Sequence, residues 1–386
     1  MKLTKLDGLA VAALVTVVLI KIVDLGFSRF LPQDENPFPP NSRAQYKSSE
    51  FDAVASINKF GFRGNETQLQ EGQILVLGDS FTFGFGSKDE DVWPRLLQNK
   101  LAGTALPLKV YNLGVPGTDT DFHLDLAARY VEKLKPKFVV ISVLLADDFQ
   151  QAYEDKILNQ QPKAAWTVGK EWLRAAFPGM RQFYLRARMA PIRTTGAAGE
   201  LMNATPDWGT TARQLIAEKH LNLPEDIVKE ALAGNVNPGI LSLLAVFPDR
   251  SWKFWSAVDN EPIAQEVLRR LTTRFAQLNT LVQSRGGKLI VYSMAESPFV
   301  ASVAAQKYQR YGYTVRDEDF TTLKPETVLS KLAQGSGASF IPSLTEFRNH
   351  RGTELFFALD GHMTVTGNSL VADILTVGLL NLVGSH

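Results

Sequence analysis

The run Ile74-Leu75-Val76-Leu77, closed by Gly78-Asp79-Ser80, limits what this chain can fold into more than any other stretch. Four apolar residues with no polar alternate suit a strand buried on both faces. Strands of that kind belong to parallel sheets covered by helices on either side. Lys109-Val110-Tyr111-Asn112-Leu113 and Lys137-Phe138-Val139-Val140-Ile141-Ser142-Val143-Leu144 have the same character, and helical stretches at about 92–101 and 121–134 separate the three. An amphipathic helix over 262–285 carries Ile263, Val267, Leu268, Leu271, Phe275, Leu278 and Leu281 at helical spacing. Strands at 288–292 and 338–341 follow, and a last helix at about 368–382. The order predicts an α/β fold, a three-layer doubly wound parallel sheet.

Two regions stand outside that pattern. From Phe149 to about Asn260 no buried strand is evident, and Trp166, Trp172, Trp208, Trp252 and Trp255 make the stretch aromatic-rich. Arg181, Arg186, Arg188 and Arg193 cluster within it. Two readings are open: a helical insertion packing its own small core, or a cap over the site with aromatics for sugar stacking. The other region is the N-terminus. Met1-Lys2-Leu3-Thr4-Lys5 leads into an apolar run from Leu9 to Ile20, interrupted afterwards by Lys21 and Asp24. Lys21 and Asp24 can pair at i, i+3 or snorkel. Lys2 and Lys5 favour a cytoplasmic N-terminus. With no small-x-small cleavage site after the run, an uncleaved signal anchor is expected, against a cleaved signal peptide or a buried helix of a soluble body. The divisions are therefore an anchor at 1–30, an extended Pro-rich lead at 31–72, the α/β core at 73–150 and 261–386, and the insertion at 151–260.

Composition narrows the chemistry. The 386 residues are 45% apolar and 21% charged, an ordinary globular balance. With 41 basic and 40 acidic residues and no concentrated basic patch, nucleic acid is not an expected partner. There is no Cys, which excludes thiolate catalysis and thiolate metal sites. The glycines after Ser80 fit neither a P-loop nor a dinucleotide fingerprint. No His pair sits at i, i+4, and no metal or other cofactor is expected.

A Ser at the carboxyl end of a parallel strand lies where such sheets bind ligands. It becomes a nucleophile only if a base reaches it. Of the five His, His123, His220, His350 and His386 read as structural or solvated. His362 differs, because Asp360 lies two residues before it, across Gly361. That carboxylate can accept the imidazole Nδ1–H and leave Nε2 free to take a hydroxyl proton. Gly-Asp-Ser early with Asp-x-His before the last helix resembles the SGNH hydrolase family, also called GDSL-type esterases, over about 60–149 and 261–382.

The resemblance implies a flavodoxin-like core, Ser80 as nucleophile, and Asp360 and His362 as its partners. It maps Gly117, in Asn112-Leu113-Gly114-Val115-Pro116-Gly117-Thr118, to the residue whose N–H binds the oxyanion. Gly61-Phe62-Arg63-Gly64 is similar to the family's exported bacterial members. One position departs: the family usually has Gly-x-Asn-Asp after the third strand, and this chain has Ala146-Asp147-Asp148. An ionised Asp147 cannot donate to an oxyanion. Three readings are open: Asp147 is protonated and donates, another donor replaces it, or turnover is weak or lost. The expected function is a serine esterase or O-acyltransferase, tethered to the inner membrane and facing outward, working on ester groups of an exported glycan or lipid. The alternative is an SGNH-like binding or assembly module for a surface polysaccharide or protein partner.

Overall fold

The apolar runs form the sheet that their composition calls for. A computed structural model describes residues 5–30, 37–160, 176–177, 180, 201–202, 208–246, 253–301, 306, 308–314, 316–351 and 354–384. Among them β1 is Arg43–Lys47, β2 Asp52–Ser56, β3 Ile74–Leu77, β4 Val110–Asn112, β5 Phe138–Leu144, β6 Leu201–Met202, β7 Lys288–Met294 and β8 Ser339–Ile341. The main sheet has the order β4-β3-β5-β7-β8, and every neighbouring pair is parallel. This is the flavodoxin-like order, with its switch point beside β3. Every residue of β3, β4 and β5 is buried, as strands covered on both faces must be.

Helices supply the outer layers. Trp93–Leu101 packs against Val365–Gly384, while Pro262–Ser284 packs against Thr120–Leu134 and Lys324–Gly335. The expected α/β fold is therefore the observed one. Among the described residues, Val365–Gly384 is the one helix that is long and apolar enough to pass for a membrane span. Its Val371, Ala372, Leu375 and Leu379 are buried in the core, and Gly378 lies so close to Ile341 that a Cβ would sit 2.6 Å from it.

The N-terminus forms a helix from Lys5 to Phe30, about 39 Å long at 1.5 Å per residue. Val15, Val18, Leu19, Ile20, Ile22, Val23 and Leu25 are exposed on it. The expected i, i+3 pair is present: Lys21 Nζ lies 2.9 Å from Asp24 Oδ2. Asp24 is buried, and its other oxygen accepts the Met180 N–H at 2.9 Å.

The lead differs from its sequence reading. Residues 43–56 are an antiparallel hairpin, β1 against β2, rather than an extended linker. Alternate small side chains explain it: Ala44, Ala53 and Ala55 are buried against the body, so a modest apolar face suffices. β6, from the insertion, joins β1 in parallel, a strand where none was expected. The insertion is otherwise helical where it is described, at Trp208–Lys219, Glu225–Leu232, Pro238–Val246 and Lys253–Ala257. It has its own small cluster of Ala212, Ile227, Ala231, Val236, Leu241 and Leu244 with Tyr311, which is aliphatic rather than aromatic. Trp208 packs instead with Phe51 and Phe85, and Trp255 joins the main core. Trp166, Trp172, Trp252 and the four clustered arginines lie outside the described residues.

Candidate active site

β3 ends at Gly78 because nothing larger fits: a Cβ there would stand 2.2 Å from Thr82 Oγ1. Asp79 then caps the short helix Ser80–Phe83, its Oδ1 accepting the Phe81 N–H at 2.9 Å. Gly84 closes the helix with φ 85°, and its N–H returns to the Ser80 carbonyl. The result is a tight strand–turn–helix junction that lifts the Ser80 hydroxyl into a cavity of about 590 Å³. Gly117, Asp147, Asp360 and His362 line the same cavity.

Ser80 and His362 are 282 residues apart in sequence, and the fold sets Ser80 Oγ 2.7 Å from His362 Nε2. His362 Nδ1 pairs with Asp360 Oδ1. An ionised carboxylate only accepts, so Nδ1 carries the proton and Nε2 is the acceptor facing Ser80. Asp360 Oδ1 also accepts the His362 backbone N–H at 3.2 Å. The imidazole lies between Phe81 and Phe85, each with its ring centre 4.9 Å away. The serine proton has a second acceptor, Asp79 Oδ2 at 3.3 Å, but the histidine contact is shorter.

Residues 76–235 match the family model of the GDSL-like lipase/acylhydrolase family. Over that stretch the chain is similar to GDSL-like lipases and acylhydrolases. Ser80, Gly117 and Asp147 fall within the matched stretch, and Asp360 and His362 lie beyond it. Among solved structures the chain is similar to an acetyl xylan esterase, AlAXEase, at 11% identity over 79% of this chain and 98% of that one, with a TM-score of 0.37. It is similar to a lipase/acylhydrolase from Enterococcus faecalis at 12% identity, covering 80% and 95%, with a TM-score of 0.38. Axe2, an acetylxylan esterase from Geobacillus stearothermophilus, resembles it at 12% identity, covering 80% and 94%, with a TM-score of 0.35. No curated protein matches it.

The loop after β4, which carries Gly117, is held from below. Asn112 Oδ1 accepts the Gly114 N–H at 2.9 Å, and the Val115 N–H reaches the Gly78 carbonyl at 2.9 Å. Gly117 has φ 71°, which favours glycine at that position. Thr118 Oγ1 donates to the Val115 carbonyl at 2.6 Å and so accepts from His123 Nε2–H at 3.0 Å. His123 is buried, and burial lowers its pKa to about 3, so it is neutral and structural. His350 is exposed and turned to the Glu346 carbonyl.

Two residues around the site escaped the sequence reading. Arg63, noted only as part of Gly-Phe-Arg-Gly, is buried and clamps the loop after the nucleophile. Its Nη1 donates to the carbonyls of Phe83 at 3.0 Å and Gly84 at 2.6 Å, and its Nη2 to Ser87 at 2.6 Å. Nε meets Asp89 at 3.0 Å. Glu296, just past β7, joins Asp79, Asp147 and Asp148 on one side of the cavity. Burial, followed by the charge of Asp147, pushes the Glu296 carboxyl well above its ordinary range. Burial and then the charge of Asp79 do the same to Asp148, although it accepts the Leu144 N–H at 2.7 Å. Burial lifts Asp79 to about 6. Applying the strand-end rule to β7 as well as to β3 and β5 would have singled out Glu296.

Proposed function

We propose that the chain is a serine ester hydrolase or O-acyltransferase, with Ser80 as nucleophile, His362 as general base and Asp360 as its orienting carboxylate. The 2.7 Å contact between Ser80 Oγ and His362 Nε2 carries the reading, because it pairs a hydroxyl with a base already held in the right tautomer. Ser80 Oγ attacks the ester carbonyl carbon while its proton passes to Nε2. The imidazolium is stabilised by Asp360. The carbonyl oxygen becomes an oxyanion facing the N–H groups of Ser80 and Gly117. Collapse breaks the bond to the alcohol, which leaves with the proton from Nε2. Water or a sugar hydroxyl then attacks the acyl-serine through the same base.

Asp147 lines the same cavity from the end of β5, where its side chain is exposed. The substrate class that fits an exported esterase is an O-acylated, most simply O-acetylated, glycan or lipid. The apolar, exposed N-terminal helix supports tethering to the inner membrane with the N-terminus in the cytoplasm.

The same carboxyl group is the observation that favours a second reading, a binding module of weak turnover, since an ionised Asp147 would repel the oxyanion. Hydrolysis of p-nitrophenyl acetate separates the two. The enzyme reading expects Ser80→Ala to remove the rate above background; equal rates in the wild type and the variant support the binding module.

A further inference from the structure

The hairpin tip, Ser48 to Phe51, is seated on the turn that presents Asp360 and His362. Glu50 Oε1 accepts the Leu359 N–H at 2.9 Å, and its Oε2 accepts the Asp360 N–H at 2.7 Å. These are charge-assisted bonds to two consecutive amides, a geometry that fixes orientation as well as distance. On the far side the Tyr311 hydroxyl donates to the Leu359 carbonyl at 3.4 Å. The turn closes on itself through Phe357 N–H to the His362 carbonyl and Gly361 N–H to the Phe357 carbonyl. Nothing in those internal bonds sets where the turn stands relative to Ser80.

The tip also touches the other half of the site. Phe51 packs on Phe357 of the turn at 5.1 Å and on Phe85 beside the nucleophile at 5.9 Å. Tyr46, on β1, packs on Phe85 at 4.6 Å. The tip is itself braced, with Ser48 N–H bonded to the Phe51 carbonyl at 2.9 Å and Glu50 N–H to Ser48 Oγ at 3.1 Å. One rigid element thus contacts the loop that carries Ser80 and the loop that carries His362.

We propose that Glu50 is a positioning residue: its two-point grip on Leu359 and Asp360 sets His362 at its working distance from Ser80. The inference rests on the Ser80–His362–Asp360 reading above. A displacement of about 1 Å in such a contact costs up to about 100-fold in rate.

The test uses the full-length protein and three substitutions. Glu50→Ala removes the grip. Glu50→Asp keeps the charge but is one methylene too short to reach both amides. Glu50→Gln keeps the length and one acceptor oxygen. With p-nitrophenyl acetate, Glu50→Ala and Glu50→Asp are each expected to lower kcat about 10- to 100-fold with KM within about twofold, and Glu50→Gln to fall between them and the wild type. Wild-type kcat in Glu50→Ala overturns the proposal. So does a wild-type Glu50→Asp beside an impaired Glu50→Gln, because charge and not position would then matter. A second readout needs no turnover: the downfield proton resonance of His362 Nδ1–H, assigned with His362→Gln. It is expected in the wild type and lost or broadened in Glu50→Ala and Glu50→Asp; an unchanged signal in both contradicts the proposal. If the wild type shows that signal but no Ser80-dependent turnover, the esterase reading fails and the positioning role stands or falls on the resonance.

Discussion

Asp79 stands one residue before the proposed nucleophile and carries a cost that depends on pH. Its folded-state pKa of about 6 lies above the ordinary carboxylate value of 3.8. The proton is held more tightly in the folded state, so the associated stability is full below about 3.8 and is lost as pH rises through about 6. A shift of that size corresponds to no more than about 3 kcal/mol, which contact with the open cavity trims to about 1–2 kcal/mol. Asn caps a helix as well as Asp does. Asp79→Asn is therefore expected to be more stable than the wild type by about 1–2 kcal/mol at pH 8, with no gain at pH 4, in urea denaturation. At Asp147 the expected effect is on rate. A carboxylate cannot donate to an oxyanion and an amide can, and one oxyanion donor is worth about 10²- to 10³-fold in kcat. Asp147→Asn is therefore expected to raise kcat toward p-nitrophenyl acetate. An unchanged kcat would remove Asp147 from the hole.

Elements differ in how openly the sequence announces them. β3, β5 and β7 were legible because a strand buried on both faces must be apolar throughout, and few other structures leave such a run. β1 and β2 were not. Their buried positions are largely alanines, and polar residues and nearby prolines disguise the alternation. The same holds for Arg63 and Glu50. They act on backbone carbonyls and amides, which every residue has, so no partner motif marks them in the sequence. The N-terminal helix was legible as an apolar segment from its run and its flanking lysines. If it is the anchor, a full-length protein should fractionate with membranes at its full mass and resist extraction by high salt. A shortened protein in the soluble fraction would mean a cleaved signal instead.

At the scale of the molecule, the parallel sheet gathers distant pieces of the chain at one edge. Ser80 follows β3, Gly117 follows β4, Asp147 follows β5 and Glu296 follows β7, all at carboxyl ends. Asp360 and His362 come from the turn before the last helix. The meeting of Ser80 with His362 was readable because Gly-Asp-Ser and Asp-x-His are each tied to chemistry, and the strand order lets them come together. The acidic character of the cavity was readable only at Asp147, since burial and mutual repulsion depend on neighbours that sequence spacing does not reveal. The central claim is that Ser80 becomes acylated. The most direct measurement is intact-mass analysis of the full-length protein quenched in acid during turnover of p-nitrophenyl acetate. The account expects one added acetyl group, mapped by peptide analysis to Ser80, that is absent in Ser80→Ala and accumulates in His362→Gln no faster than background. An unmodified wild-type protein that nevertheless hydrolyses the ester, or an acetyl group on any other residue, would contradict it.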